Sequence, residues 1–338
     1  MPAKVTLDMV AERAGVSPST VSRILNGTAT VSGDKRAAVD EAIATLGFVP
    51  NPVARGLAGG RTLSVGVITQ SIDSPFYGAA LSGIEQALGA AGYSPLFMSG
   101  KWNPTEEARC IDELRSRRVD GLIVLTGRLS DAALRATSRA LPIVVTGRLL
   151  KATRLYSLDF DNQSGARLAT QHLLDLGHRR IAFIAGNLEH ADALQRQGGY
   201  LQALSEAGLR PDPALQAQGD FTESSGVTAV QRLLALKVPF SAIFAANDQM
   251  AFGAALALHR HGLRVPADVS LVGFDDLSAS QYTMPPLTTV HNPIQEIGHL
   301  AAQAMLSLLA DERPAGAVPE PRLVLRESTA APASKGAR

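Results

Sequence analysis

Apolar positions recur at helical spacing through the first fifty residues and in short strand-length runs from about residue 63 onward, so pattern alone divides the chain. Leu7, Val10, Ala11 and Ala14 fall at i, i+3, i+4 and i+7, which predicts a short helix with one buried face. Thr6 is its expected N-cap, and Gly15 stands where a helix end needs a left-handed residue. Val16 plugs the gap to a second helix capped by Ser17, with Pro18 at its first position. That helix buries Val21, Ile24 and Leu25 and turns Ser19, Thr20, Ser22, Arg23 and Asn26 outward. A third helix is expected from Ser32 through Val39, Ile43 and Leu46, ending near Gly47. Two short helices about a glycine turn, with a polar face carrying an arginine, suit a major groove; the same spacing also describes an ordinary helical hairpin.

Residues 1–49 therefore read as one small helical unit. Residues 50–60, with Pro50, Asn51, Pro52 and a glycine-rich end, read as a linker with at most a marginal helix. Strands are expected at LSVGVIT from Leu63, SPLFM from Ser94, GLIVL from Gly121, PIVVT from Pro142, RIAFIAG from Arg180, SAIFAAN from Ser241, VSLVGF from Val269 and LTTV from Leu287. Helices lie between them, for example Ala79 to Ala91 and Thr105 to Arg117. Near-continuous apolar strands imply parallel sheets covered on both faces. The run exceeds one sheet, so residues 61–328 are expected to form two doubly wound α/β lobes about a cleft, with crossings near 160, 290 and 320. A late strand at Arg322 to Leu325 crosses back, and residues 329–338 read as a disordered tail.

Composition narrows the class without choosing a function. Of 338 residues, 46% are hydrophobic and 19% charged, which is ordinary for a globular chain, and the net charge of +1 carries no overall polyanion signal. Residues 1–61 hold seven basic and five acidic side chains, an excess that permits DNA binding without demonstrating it. Cys110 is the single cysteine, so there is no intrachain disulfide and no cysteine-cluster metal site. No signal-like apolar region follows Lys4 and no run is long enough to span a membrane, so a soluble cytoplasmic chain without cofactors is expected.

Catalytic patterns are weak. Asp275 and Asp276 are adjacent and would leave a strand on opposite faces. His259 and His261 are two apart on a helical stretch and do not make a zinc pattern, and His178 in LGHRR reads as a structural contact. GxSxG and GxxxxGK sequences are absent, so an enzyme is not expected.

The blocks VAERAGVSPSTVSRILN from Val10, LGFVPNPVARGLAGG from Leu46, HLLDLGHRRIAFIAG from His172, RQGGYLQALSEAGL from Arg196, FAANDQMAFGAALAL from Phe244 and VPADVSLVGFDD with PPLTTV from Val265 stand in one order over nearly the whole chain. In this the chain resembles the LacI/GalR family of bacterial repressors. The resemblance implies a homodimeric repressor with an N-terminal helix-turn-helix headpiece, a hinge helix, and a sensor core folded like a periplasmic sugar-binding protein. Matched to the family, Pro18, Ser19 and Arg23 take base-reading places, while Thr20, Ser22 and Asn26 hold phosphates. The DNA-facing set extends to Thr6 and Ser17 at the helix caps and to Asn51, Val53 and Ala54 in the hinge, with Leu57 as the minor-groove wedge. Dimer contacts would come from the first lobe, including the helix after Pro75 and the stretch after Asn103.

For the effector, the resemblance supports Arg196, Asn247 and Asp275 as ligand groups, and Asp161, Phe221 and Phe76 beside them, the two aromatics as walls for an apolar sugar face. Where many members carry an aspartate followed by arginine, this chain has Gly147 and Arg148. That change implies extra room or positive charge, hence a bulkier or anionic effector. A sugar is the expected effector; corepression by a nucleobase, sugar acid or phosphate is the alternative, and a transporter-type sugar-binding module without DNA function is the remaining one.

Overall fold

The computed structural model describes residues 5–25, 31–48 and 61–333. The expectations for Asn26, Asn51, Val53, Ala54 and Leu57 lie outside the described residues.

The first unit is three helices, α1 (Leu7–Arg13), α2 (Pro18–Leu25) and α3 (Gly33–Leu46). Thr6 caps α1 by accepting from the Met9 amide at 3.4 Å, and Ser17 accepts from Thr20 N at 3.2 Å at the start of α2. Gly15 and Gly47 take the left-handed conformation at φ 64° and 62°. Val10, Ala11, Val21, Ile24, Val39 and Ala42 form the shared core, so the outward face of α2 is left to polar residues. Pro18, Ser19 and Arg23 are exposed there; Thr20 and Ser22 are half-buried.

From Ser64 the chain alternates strand and helix. The first lobe contains β1 (Ser64–Thr69), α4 (Pro75–Ala90), β2 (Ser94–Ser99), α5 (Pro104–Ser116), β3 (Gly121–Val124), α6 (Asp131–Ser138), β4 (Ile143–Thr146) and β5 (Leu155–Leu158). Its sheet is parallel in the order β2-β1-β3-β4-β5. The second lobe contains α7 (Asn162–Asp175), β6 (Ile181–Ala185), α8 (Ala191–Glu206), β7 (Gln216–Gln218), α9 (Glu223–Ala235), β8 (Ala242–Ala245), α10 (Asp248–Arg260) and β9 (Ser270–Val272). Its parallel order is β7-β6-β8-β9.

The chain then passes through β10 (Thr289–His291) to α11 (Ile294–Leu309), whose Ala301, Ala302 and Met305 join the first lobe's core beside Val65 and Ile84. It returns through β11 (Arg322–Val324), which pairs antiparallel with β10. Between α11 and α4 the backbones nearly touch: a Cβ on Gly298 would stand 2.2 Å from Ala80 O, and one on Gly83 would stand 2.0 Å from Gln295 O. Only glycine fits such a crossing.

Each strand expected from the hydrophobic runs is present, and two more appear. β5 pairs at the sheet edge with half-buried Tyr156 and Ser157, and β7 is Gln-Ala-Gln with only Ala217 buried, so neither carries an apolar run. The start of the expected tail continues the core through Ala330, while its residues 334–338 lie outside the described residues. Ser328 is buried, donates to Leu271 O at 2.6 Å and accepts from Thr288 N at 2.8 Å. Ala330 N donates to Ser270 Oγ at 3.0 Å, while Ala330 O faces His178 Nε2 at 2.9 Å. Residues 328–330 thus cover the open side of β9 by hydrogen bonding, which leaves no hydrophobic signature. His178 is the structural polar contact its setting implied, and its Nδ1 faces Ser241 Oγ at 2.8 Å.

Gly298→Ala should cost roughly 1–3 kcal/mol through overpacking at the helix crossing. Thermal unfolding of the variant beside the wild type measures this, with an exposed control such as Gly89→Ala, which meets nothing within 4 Å.

Candidate functional site

A cavity of about 690 Å3 lies between the lobes, where loops leave the carboxyl ends of the parallel strands. Arg196, Asn247, Asp275, Phe76 and Phe221 all line it. So do Gln70, Tyr77, Lys101, Trp102 and Asp192, which the sequence reading did not single out.

Arg196 is its most constrained member. It projects from α8, is 2% exposed, and gives Nε to Asn162 Oδ1 at 2.9 Å, Nη1 to Ala246 O at 2.5 Å and Nη2 to Asp275 Oδ1 at 3.1 Å. Its guanidinium stacks over Phe274 at 3.9 Å. A guanidinium has five N–H donors, so two remain for a ligand. Asp275, in left-handed backbone at φ 109°, also accepts from Asn292 Nδ2 at 3.4 Å. Burial lifts its carboxyl to about 6, against the opposing pull of Arg196. Asp276 points elsewhere, to Arg326 at 2.6 Å and His291 at 2.9 Å, so the adjacent carboxylates do not form an acid/base pair.

Asn247 sets the wall. Its Oδ1 caps α10 through Met250 N at 2.9 Å, and its Nδ2 donates to Phe221 O at 2.9 Å, helping to hold Phe221 at φ 71°. Phe221 packs so closely on Gly186 that a Cβ there would meet the ring at 2.1 Å. Opposite, Trp102 from the first lobe stacks on His190 from the second, ring centroids 3.7 Å apart, and His190 lies nearly parallel to Phe221 at 6.2 Å. His190 is buried, which lowers its pKa. An ion pair from Arg128 to Glu189 at 2.8 Å crosses beside it. Tyr77 is also buried at the cavity, and burial, with Asp192 and Asp275 adding, holds its hydroxyl well above the usual tyrosine range.

Two expected ligand groups stand outside the cavity. Asp161 caps α7 through Ser164 N at 2.8 Å. Arg148 donates to Leu129 O at 2.7 Å and to Gly127 O, and pairs with Asp131 at 3.5 Å, so it serves the 127–131 loop and does not line the cleft. The room attributed to Gly147 is taken as well. Gly147 sits at φ 72°, and a Cβ there would meet Thr126 Oγ1 at 2.9 Å. Counting the lining, Asp73, Asp192, Asp220, Glu223 and Asp275 outnumber Lys101 and Arg196, so the cleft is acidic where extra room or positive charge was expected.

The missed residues had a positional signal. Lys101-Trp102 follows β2 and His190 to Asp192 follows β6, both beyond carboxyl ends of parallel strands, and Trp102 is the only tryptophan.

Asp248 lies under the site. It is fully buried and accepts from Leu277 N at 2.8 Å, Ser280 Oγ at 2.6 Å and Thr289 Oγ1 at 2.6 Å, which fastens α10 to the loop entering β10. Burial, then the charge of Asp275, pushes its carboxyl up to about 7. Among the described residues no cluster of three or more metal-ligating side chains occurs, and no helix is long and apolar enough to cross a membrane.

Comparison with known proteins agrees with this geometry. Residues 6–51 match the family described as bacterial regulatory proteins, lacI family, and residues 170–329 match a periplasmic binding protein-like domain. The chain is 37% identical over 331 residues to the HTH-type transcriptional regulator GalR of Escherichia coli, covering 97% of this chain and 96% of that protein. Among solved structures, a complex of the transcriptional regulator CelR with cellobiose is 36% identical, covers 96% of this chain and 99% of its own, and superposes with a TM-score of 0.71. The lac repressor dimer bound to operator and the anti-inducer ONPF is 33% identical, with coverage of 97% and 99% and a TM-score of 0.87.

The raised carboxyl of Asp248 has a defined sign. Between about pH 4 and 7 the native state keeps a proton that the unfolded chain has released, so stability should fall as pH rises through that window. Asp275, raised to about 6, acts in the same direction. Chemical denaturation at a series of pH values should show this decline, and Asp248→Asn should flatten its upper half. Arg196→Ala leaves the Asp275 carboxyl buried and unpaired, and should cost about 3–5 kcal/mol on the same measurement.

Proposed function

The chain belongs to the lacI family of bacterial regulatory proteins, and on that footing we propose that it is a repressor that binds a palindromic operator as a homodimer and is controlled by a neutral carbohydrate in the interlobe cleft. It is a DNA-binding transcriptional regulator and not an enzyme, as its relatives are. The observation that carries the effector reading is the cavity lining: a buried Arg196–Asp275 pair with donors left over, beside Phe76, Phe221 and Trp102. Hydroxyl pairs need donors and acceptors together, and the apolar face of a sugar ring needs an aromatic wall. An excess of carboxylates at the cleft opposes a sugar acid or sugar phosphate. The cellobiose bound by the CelR relative supports a neutral sugar of this general kind.

On DNA, Arg23 and Ser19 read base edges from the exposed side of α2, where a guanidinium on guanine discriminates by about 1–3 kcal/mol. Pro18 beside them offers only an apolar contact. Ser17 bridges the hydroxyls of Ser19 at 2.9 Å and Thr20 at 2.8 Å, so Thr20 is held for a phosphate near the helix start, and half-buried Ser22 serves a phosphate beside it. Thr6 holds the cap of α1 against the same backbone, and Asn26, Asn51, Val53, Ala54 and Leu57 complete the DNA-facing set. The lac repressor relative, a dimer on its operator, supports this arrangement. Signal passes through lobe closure. A ligand spanning the cleft competes with or reinforces the Trp102–His190 and Arg128–Glu189 contacts, and the shift carries to Arg61, where the first lobe meets the linker. Working beside DNA, the protein acts in the cytoplasm.

The test begins with a palindromic site selected by the protein from random duplexes. Operator binding is then titrated with neutral mono- and disaccharides, sugar acids and sugar phosphates. One neutral sugar should change operator affinity on the order of tenfold, in the range usual for allosteric coupling, and the sign of the change distinguishes inducer from corepressor. Phe221→Ala should abolish the response while operator binding persists. A response confined to anionic sugars, or none to any carbohydrate, overturns the effector reading.

A further inference from the structure

We infer that the first lobe carries a second DNA contact of its own, a cationic face at the amino ends of β3, β4 and β5 that binds phosphates flanking the operator. In a parallel sheet all strands start at one edge, and the cleft occupies the other. At the starting edge, Arg118, Arg135, Arg139, Lys151, Arg154 and Arg313 are all exposed, and none has a carboxylate partner among the described residues.

Hydrogen bonds tie this row together. Thr62 Oγ1 donates to Arg118 O at 2.8 Å, and Ile143 N donates to Arg154 O at 2.9 Å. Arg135, Lys151 and Arg313 line one hollow of about 730 Å3, whose lining includes no acidic side chain. Tyr156 donates to Gly316 O at 3.1 Å and so holds the segment after Arg313 against β5. Arg118 and Arg154 stand in left-handed backbone at φ 58° and 55°, where glycine or asparagine sits more cheaply. Acidic groups at this edge are fewer. Both oxygens of Asp120 accept from the amides of Thr62 and Leu63, and the exposed Asp311 and Glu312 immediately precede Arg313, so three carboxylates stand at this edge against six cations.

Duplex DNA is the partner this face fits, because the face lies where the DNA-binding unit is tethered. The chain enters the lobe at Arg61, whose Nη2 is pinned to Leu309 O at 2.5 Å. Twelve residues, 49–60, separate it from the helical unit. Even fully extended, such a tether reaches only about 45 Å. DNA held by α2 is therefore tethered to the edge of the lobe that carries the cationic face, since Thr62, next to Arg61, bonds Arg118 O, and it offers one phosphate charge per roughly 1.7 Å of axis. The chain's net charge of +1 hides this arrangement, since carboxylates collect at the cleft and cations at the opposite edge.

The test uses the full chain and two duplexes, one limited to the selected operator and one extended by about a helical turn, roughly 10 bp, on each side. Wild type should bind the extended duplex more tightly, with a log–log salt dependence steeper by about 0.9 for each added phosphate contact. The quadruple variant Arg118→Ala, Lys151→Ala, Arg154→Ala, Arg313→Ala should lose the flank-dependent gain and the extra salt slope, yet bind the short duplex like wild type. Lysine at the three arginine positions should retain both. The inference is overturned if wild type binds both duplexes with equal affinity and slope. It is equally overturned if the alanine variant keeps the flank gain, which would assign the face to an acidic protein. Equal loss on both duplexes would also overturn it, by making the cations part of the fold; the short duplex alone reports the family's operator binding.

Discussion

Almost everything at the cleft depends on one buried cation. The Arg196 guanidinium joins the helix after β6 to the carbonyl after β8, the carboxylate after β9 and the amide of Asn162 just after the first interlobe crossing. A charge at 2% exposure is tolerable only when it is paired and hydrogen-bonded, so these loops hold their positions or the charge is stranded. That requirement turns separate strand ends into one floor. It leaves the ligand only the donors that the protein has not already used.

Around that floor the protein uses rigid devices on one lobe and separable ones between lobes. Phe221 is locked by Asn247 and by the absence of a side chain at Gly186. Asp248 locks the loop into β10. Between lobes the contacts include a ring stack, an exposed ion pair and a long hydrogen bond from Ser74 Oγ to Gln249 Oε1 at 3.5 Å, which exchange with water or ligand at modest cost. A stiff recognition surface on a loosely latched hinge suits a two-state sensor, because ligand energy then moves the lobes and does not reshape the site.

Charge is arranged as well as counted. Carboxylates at the cleft, four of the five from the second lobe, and cations at the amino ends of the first lobe's strands give the core a direction, one side suited to a hydroxyl-rich ligand and the other facing the tethered DNA-binding unit. None of this registers in a net charge of +1.

Local rules were enough for much of the molecule. Helical spacing and caps located α1 and α2 with their exposed face, hydrophobic runs located the strands that are buried on both sides, and the family resemblance pointed to Arg196, Asn247 and Asp275, which line the cavity. What escaped was non-local. β7 and the 328–330 segment are held by backbone hydrogen bonds and carry no apolar pattern. Arg148 and Asp161 have the chemistry of ligand groups, yet nearby backbone carbonyls claim one and a helix amide claims the other. Trp102 and His190 meet only because the lobes close on each other. The sequence by itself determined which apolar residues face the core along helices and strands, where the chain turns and which residues carry charge, since those depend on neighbours a few positions away. Tertiary structure alone decided which polar groups were already spent on the protein and which remained for a ligand, because a hydrogen bond is allocated by what lies within about 3 Å in space.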